Sequence, residues 1–61
     1  MIDAHAFLQR DLYATELGVE LVEASEGRAT CRLALEERHK NGMGTVHGGV
    51  IFGLADFTFA L

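Results

Sequence analysis

The segment from His47 to Leu61, HGGVIFGLADFTFAL, constrains this chain more than any other. Val50, Ile51, Phe52, Leu54, Ala55, Phe57, Phe59, Ala60 and Leu61 recur too densely for one apolar stripe. Placed at 3.6 residues per turn they fall on every side, and this pattern reads as a helix that opens at Gly48-Gly49 and is buried all round. Such a helix needs a wrapping of other elements, so the first question is what the rest of the chain can supply.

Three elements precede it. From Asp3 to Leu17 the pattern predicts one amphipathic helix, with Asp3 as cap, an apolar stripe of Ala4, Phe7, Leu8, Leu12 and Tyr13, and Gly18 as stop. Val19 to Ser25 and Arg28 to Leu35 read as two strands. The second alternates Ala29, Cys31, Leu33 and Leu35 against Arg28, Thr30, Arg32 and Ala34, and Glu26-Gly27 supplies a tight hairpin turn with Gly27 at positive φ. Glu36 to Val46 reads as a polar, glycine-containing loop. The expected class is α+β: an amino-terminal helix, a hairpin, a loop and a long central buried helix. One hairpin and one surface helix cannot surround the central helix, so the rest of its wrapping is expected to come from further sequence or from other chains.

Length sharpens the same point. The 61 residues allow one domain. A core of this size supplies only about 3–5 kcal/mol, and small scaffolds add disulfides, a metal or a partner chain. A single cysteine excludes an intrachain disulfide. The chain is therefore expected to be an obligate oligomer or a piece of a larger domain, and inactive by itself. Its net charge of −4 offers no basic footprint for nucleic acid. No positive, apolar leader pattern opens it, Cys31 suits a reducing compartment, and the apolar run from Val46 to Leu61 is shorter than the ~20 residues of a membrane span. A cytoplasmic protein without membrane contact is expected.

Asp56 is the one ionisable side chain between Gly48 and Leu61. Two readings stand: a buried carboxylate satisfied by hydrogen bonds or facing a polar gap by accident, or a carboxylate set in an apolar cavity as base or nucleophile, with its pKa raised by burial or lowered by donors. The Gly48-Gly49 pair also has two readings, as flexible or tightly packed backbone, or as a helix amino terminus whose free N–H groups receive an oxyanion. Eight residues of helix separate Gly48 from Asp56 by about 12 Å along the axis, whereas a base must approach its proton within about 3 Å. If both serve one reacting carbonyl, they come from two chains, in a two-fold dimer with its central helices antiparallel.

His47 is either a polar helix end or a group that orients substrate, and Asn41 either a turn residue or an amide that holds water or a carboxylate. His5 and His39 lack partners at ligand spacing and are expected to be solvated, and no metal or bound cofactor is expected. Cys31 reads as a buried strand thiol. Arg38 and Lys40 read as loop charges, and as the cations nearest to the site.

The run Asn41-Gly42-Met43-Gly44-Thr45-Val46-His47-Gly48-Gly49-Val50-Ile51-Phe52-Gly53-Leu54-Ala55-Asp56-Phe57-Thr58-Phe59-Ala60 resembles the signature of PaaI-type hotdog-fold acyl-CoA thioesterases. That family's pattern is Asn-Gly, a short gap, His-Gly-Gly, an apolar run and Leu-Ala-Asp. The resemblance implies a hotdog fold, in which a curved antiparallel sheet wraps the central helix, with these residues forming the amino-terminal part of the domain. It implies hydrolysis of an acyl-CoA, aryl-acetyl or related, to free acid and CoA. In that scheme the Gly48 N–H holds the thioester carbonyl, Asp56 of a partner subunit is base or nucleophile, and Asn41 and His47 orient the carbonyl or the water. Gly49 and Phe52 line the substrate site. A homodimer or dimer of dimers is implied. The non-hydrolytic alternative is a hotdog module that binds acyl thioesters or serves only assembly.

Overall fold

A computed structural model describes residues 3–61. The order is α1 (Ala4–Arg10), α2 (Leu12–Leu17), β1 (Glu20–Ser25), β2 (Arg28–Arg32), a 3₁₀ turn (Glu37–His39) and α3 (Gly48–Ala60). The class is α+β, as expected, with a two-stranded antiparallel sheet.

The amino-terminal segment is two helices, not one. Asp3 caps α1 by accepting from the Ala6 N–H at 2.9 Å. Asp11 then breaks the run: its backbone is extended (φ −90°, ψ 92°), its N–H closes α1 on the Phe7 and Leu8 carbonyls, and its carboxylate caps α2 at the Ala14 N–H. A short acceptor side chain that can satisfy free helix donors competes with helix continuation. The break splits the predicted stripe. Phe7 and Leu8 still pack on the core, but Leu12 and Tyr13 are exposed, and Ala14 and Leu17 face inward instead. Gly18 ends α2 at φ +98°, as its position predicted.

The hairpin forms as expected, with Gly27 at φ +76° in the turn. β2 stops at Arg32, short of the predicted Leu35. Register runs from Ser25 opposite Arg28 to Glu20 opposite Arg32, with a bulge between Leu21 and Glu23 that leaves Val22 without a cross-strand partner. Ala29 and Cys31 are half-buried while Arg28, Thr30 and Arg32 are exposed, so the alternation held over the paired residues.

α3 lies against α2 and β2. Phe57, 3% exposed, stacks on Phe7 with ring centroids 5.7 Å apart and joins Ala14 and Val19 in the core. At Gly53 a Cβ would stand 3.0 Å from Leu17 Cδ2 and 3.1 Å from Tyr13 Cε2, so the missing side chain is what lets the two helices meet. One face of α3 is thus covered. The other is not: Ile51, Phe52 and Phe59 are exposed, and the expectation of a helix buried on every side is not met by the elements of this chain. No helix among the described residues is long and apolar enough to cross a membrane.

Candidate active site

The amino terminus of α3 is built by the loop before it. His47 is the N-cap, with extended backbone (φ −65°, ψ 131°), and its Nδ1 accepts from the Gly49 N–H at 2.9 Å. A Cβ on Gly49 would lie 3.0 Å from that same Nδ1, so the cap ring occupies the place of a side chain. Gly49 therefore serves the cap. Gly48 differs: a Cβ there would meet nothing within 4 Å, and its N–H has no acceptor among the described residues. The two glycines, alike in sequence, separate into a packing residue and an open donor at the positive end of a helix.

Asn41 organises the loop. Its Oδ1 accepts from the Met43 N–H at 2.9 Å, the Thr45 N–H at 3.2 Å and the Thr45 hydroxyl at 3.2 Å. Two of these donors are backbone amides, which fixes the side-chain oxygen as the acceptor. Its backbone closes the turn at both ends, N–H to the Thr45 carbonyl and carbonyl from the Gly44 N–H. The turn reading of Asn41 holds, and its Nδ2 forms no hydrogen bond among the described residues.

Asp56 is exposed on α3, on the outward side that carries Phe52 and Phe59 four residues before it and three after. The burial expected of this carboxylate is corrected: no element among the described residues covers that side. Asp56 and Gly48 remain two turns apart on one helix. An unpaired backbone donor and an exposed carboxylate are the two groups that acyl transfer from an oxygen or sulfur leaving group uses. An open groove of about 650 Å³ runs along the other edge of α3, between the hairpin turn and Ile51, Ala55 and Phe59. It includes none of Asn41, His47, Gly48 or Asp56.

One expectation about the loop was wrong. His39 is 2% exposed, not solvated. Its Nδ1 accepts from the Glu36 N–H at 2.9 Å, which leaves the ring proton on Nε2, 2.7 Å from the Leu17 carbonyl. Arg38, read as a loop charge, is also tied to α2. Its guanidinium donates to the Glu16 and Leu17 carbonyls, the last acceptors of α2, and to Glu36 Oε1 at 3.1 Å. Lys40 pairs with Glu37 at 2.7 Å. His5 is exposed, as read, and Cys31 is a free thiol on β2 that is half-buried rather than buried. No group of three His, Cys, Asp or Glu among the described residues could hold a metal.

By sequence, the chain is a relative of the PaaI-type acyl-CoA thioesterases. It is 36% identical over 58 residues to acyl-coenzyme A thioesterase PaaI of Escherichia coli (strain K12), covering 95% of this chain and 41% of that protein. It is 42% identical over 38 residues to human acyl-coenzyme A thioesterase 13, covering 62% of this chain and 27% of that protein. A protein of Archaeoglobus fulgidus named a putative esterase is 40% identical over 45 residues, covering 74% of this chain and 29% of its own length. The chain thus spans less than half the length of these relatives. No family model and no solved structure matches it.

Proposed function

We propose that these residues form the amino-terminal part of a hotdog acyl-CoA thioesterase domain and carry the two halves of a site completed between subunits. The observation that carries this reading is the Gly48 N–H, open and without an acceptor among the described residues, on the same helix as the exposed Asp56. Two copies with α3 antiparallel about a two-fold axis bring Gly48 of one against Asp56 of the other, which the separation of about 12 Å prevents within one chain.

In this site the Gly48 N–H and the helix dipole hold the thioester carbonyl and stabilise its oxygen as it gains charge. Asp56 takes a proton from water as the water oxygen bonds to the carbonyl carbon; the C–S bond then breaks and the CoA thiolate leaves and is protonated. In the nucleophilic variant Asp56 itself bonds to the carbonyl carbon, the C–S bond breaks and the CoA thiolate leaves and is protonated, and water then cleaves the mixed anhydride to the free acid and the Asp56 carboxylate. Asn41 Nδ2 and His47 orient the carbonyl or the water, and Gly49 and Phe52 border the acyl group. An aspartate at position 56, where other relatives carry glutamate, favours the PaaI-like branch, whose substrates are aryl-acetyl and related acyl-CoA thioesters, and the domain works in the cytoplasm as a homodimer or dimer of dimers.

The test is thiol release from phenylacetyl-CoA by the complete protein. Asp56→Asn is expected to lower kcat by orders of magnitude without loss of fold, and unchanged turnover would overturn the assignment. The two-chain site has its own test. Gly48 is the first residue of α3, where proline is tolerated, and His47 already has the extended backbone that a following proline requires. Gly48→Pro therefore removes the donor and spares the helix. Equal mixing of Gly48→Pro and Asp56→Asn subunits restores about a quarter of the wild-type rate, since half the dimers carry one intact site. No recovery on mixing counts against a shared site.

A further inference from the structure

We propose that His39 is a positioning residue that aims the Gly48 N–H, an inference that rests on the thioesterase reading above. The mechanism gives His39 no task, yet its ring is the most deeply buried polar side chain among the described residues and both ring nitrogens are engaged.

The ring and the backbone of His39 hold two different things. The ring is fixed to the end of α2: Nε2 donates to the Leu17 carbonyl at 2.7 Å, and Nδ1 accepts from the Glu36 N–H at 2.9 Å. The backbone carbonyl accepts from the His47 N–H at 2.8 Å, and Lys40 bridges Val46 beside it. His47 is the cap of α3 and the residue before Gly48. One residue thus connects the carboxyl end of α2, through its own ring and peptide, to the Val46–His47 peptide, the one immediately before the peptide that carries the proposed oxyanion donor. Arg38 reinforces the α2 end of the link by donating to the Glu16 and Leu17 carbonyls. The turn held by Asn41 closes the loop between His39 and His47, so the span is braced at both ends.

A donor aimed at a carbonyl oxygen acts through its direction, and a displacement of about 1 Å far from the chemistry can lower a rate by about 100-fold. Loss of the His39 ring contacts frees the His39 peptide, and with it the His47 peptide and the Gly48 N–H. Ground-state binding of the CoA moiety does not pass through this link, so the effect falls on kcat and not on KM.

The experiment compares His39→Phe, His39→Gln and His39→Asn in the complete protein. Phe fills the space with no hydrogen bond. Gln keeps a donor that reaches the Leu17 carbonyl, and Asn keeps only an acceptor near the Glu36 N–H. With phenylacetyl-CoA as probe, His39→Phe is expected to lower kcat about 10- to 100-fold with KM within about threefold, Gln to retain most of kcat, and Asn to fall between. Amide hydrogen exchange is the second readout: His39→Phe speeds exchange at His47 about tenfold or more, while amides in the β1–β2 ladder keep their protection. A purely structural role would lower melting temperature and leave kcat per folded molecule unchanged in all three, and that result overturns the proposal. So does unchanged exchange at His47. If His39→Phe does not fold, the order of Gln over Asn in kcat decides. A wild-type protein with no thioester turnover but His39-dependent exchange at His47 would remove the thioesterase reading while leaving the hold on α3 intact.

Discussion

Phe57 and Phe59 lie two residues apart on α3 and should behave as opposites. Phe57 is 3% exposed, stacked on Phe7 and in contact with the core; Phe59 is 94% exposed. Removing a buried phenylalanine side chain costs about 3–5 kcal/mol, of which the lost aromatic pair is about 0.5–1.5 kcal/mol. A core of this size rarely supplies more than about 3–5 kcal/mol in all. Phe57→Ala therefore removes about the whole stability of the 61-residue chain, and its cooperative unfolding transition should vanish at 25 °C. Phe59→Ala should move stability by no more than about 0.5 kcal/mol, as for an exposed site. It should instead lower self-association, because Ile51, Phe52 and Phe59 form an apolar surface that no element among the described residues covers. The assay is urea unfolding followed by circular dichroism at low micromolar concentration, with light scattering across a tenfold concentration range. Two results would refute the reasoning: cooperative unfolding of Phe57→Ala with less than about 1 kcal/mol lost, or a concentration-independent loss of about 2 kcal/mol in Phe59→Ala.

Asn41→Asp keeps the oxygen that accepts from Met43 and Thr45 but loses the Nδ2 donors, so it should retain melting temperature and lose turnover, whereas Asn41→Ala should lose both. Gly49→Ala pushes the His47 ring from its cap; the cap lost is about 0.5–2 kcal/mol and the helix propensity gained about 1 kcal/mol, so melting shifts little while kcat falls. Asp11→Ala removes the α2 cap and should lower stability by about 0.5–2 kcal/mol in urea unfolding, with no separate effect on kcat.

Several elements could be read from local chemistry alone. Asp3 as a cap, Gly18 as a stop and Gly27 as a turn each act on backbone groups within a few residues, so short-range pattern suffices. The Asp11 break was also locally available, since an Asx residue before a helical turn is a strong cap, but an unbroken apolar spacing masked it. His39 and Arg38 left no such mark. Their partners, the Glu16 and Leu17 carbonyls, lie 21 or 22 residues away in sequence, and nothing in a polar loop distinguishes a buried histidine from a solvated one.

The run from Asn41 to Asp56 determined by itself where α3 starts, which glycine pair opens it, and the spacing that keeps Gly48 and Asp56 apart. A helix that is apolar on all sides carries no directional signal, so the sequence could not say which face of α3 packs. Tertiary structure decided that at Gly53, where the absence of a side chain admits Tyr13 and Leu17, and at Phe57, which enters the core; the side away from Phe57, with Phe52, Phe59 and, at its edge, Asp56, was left outward.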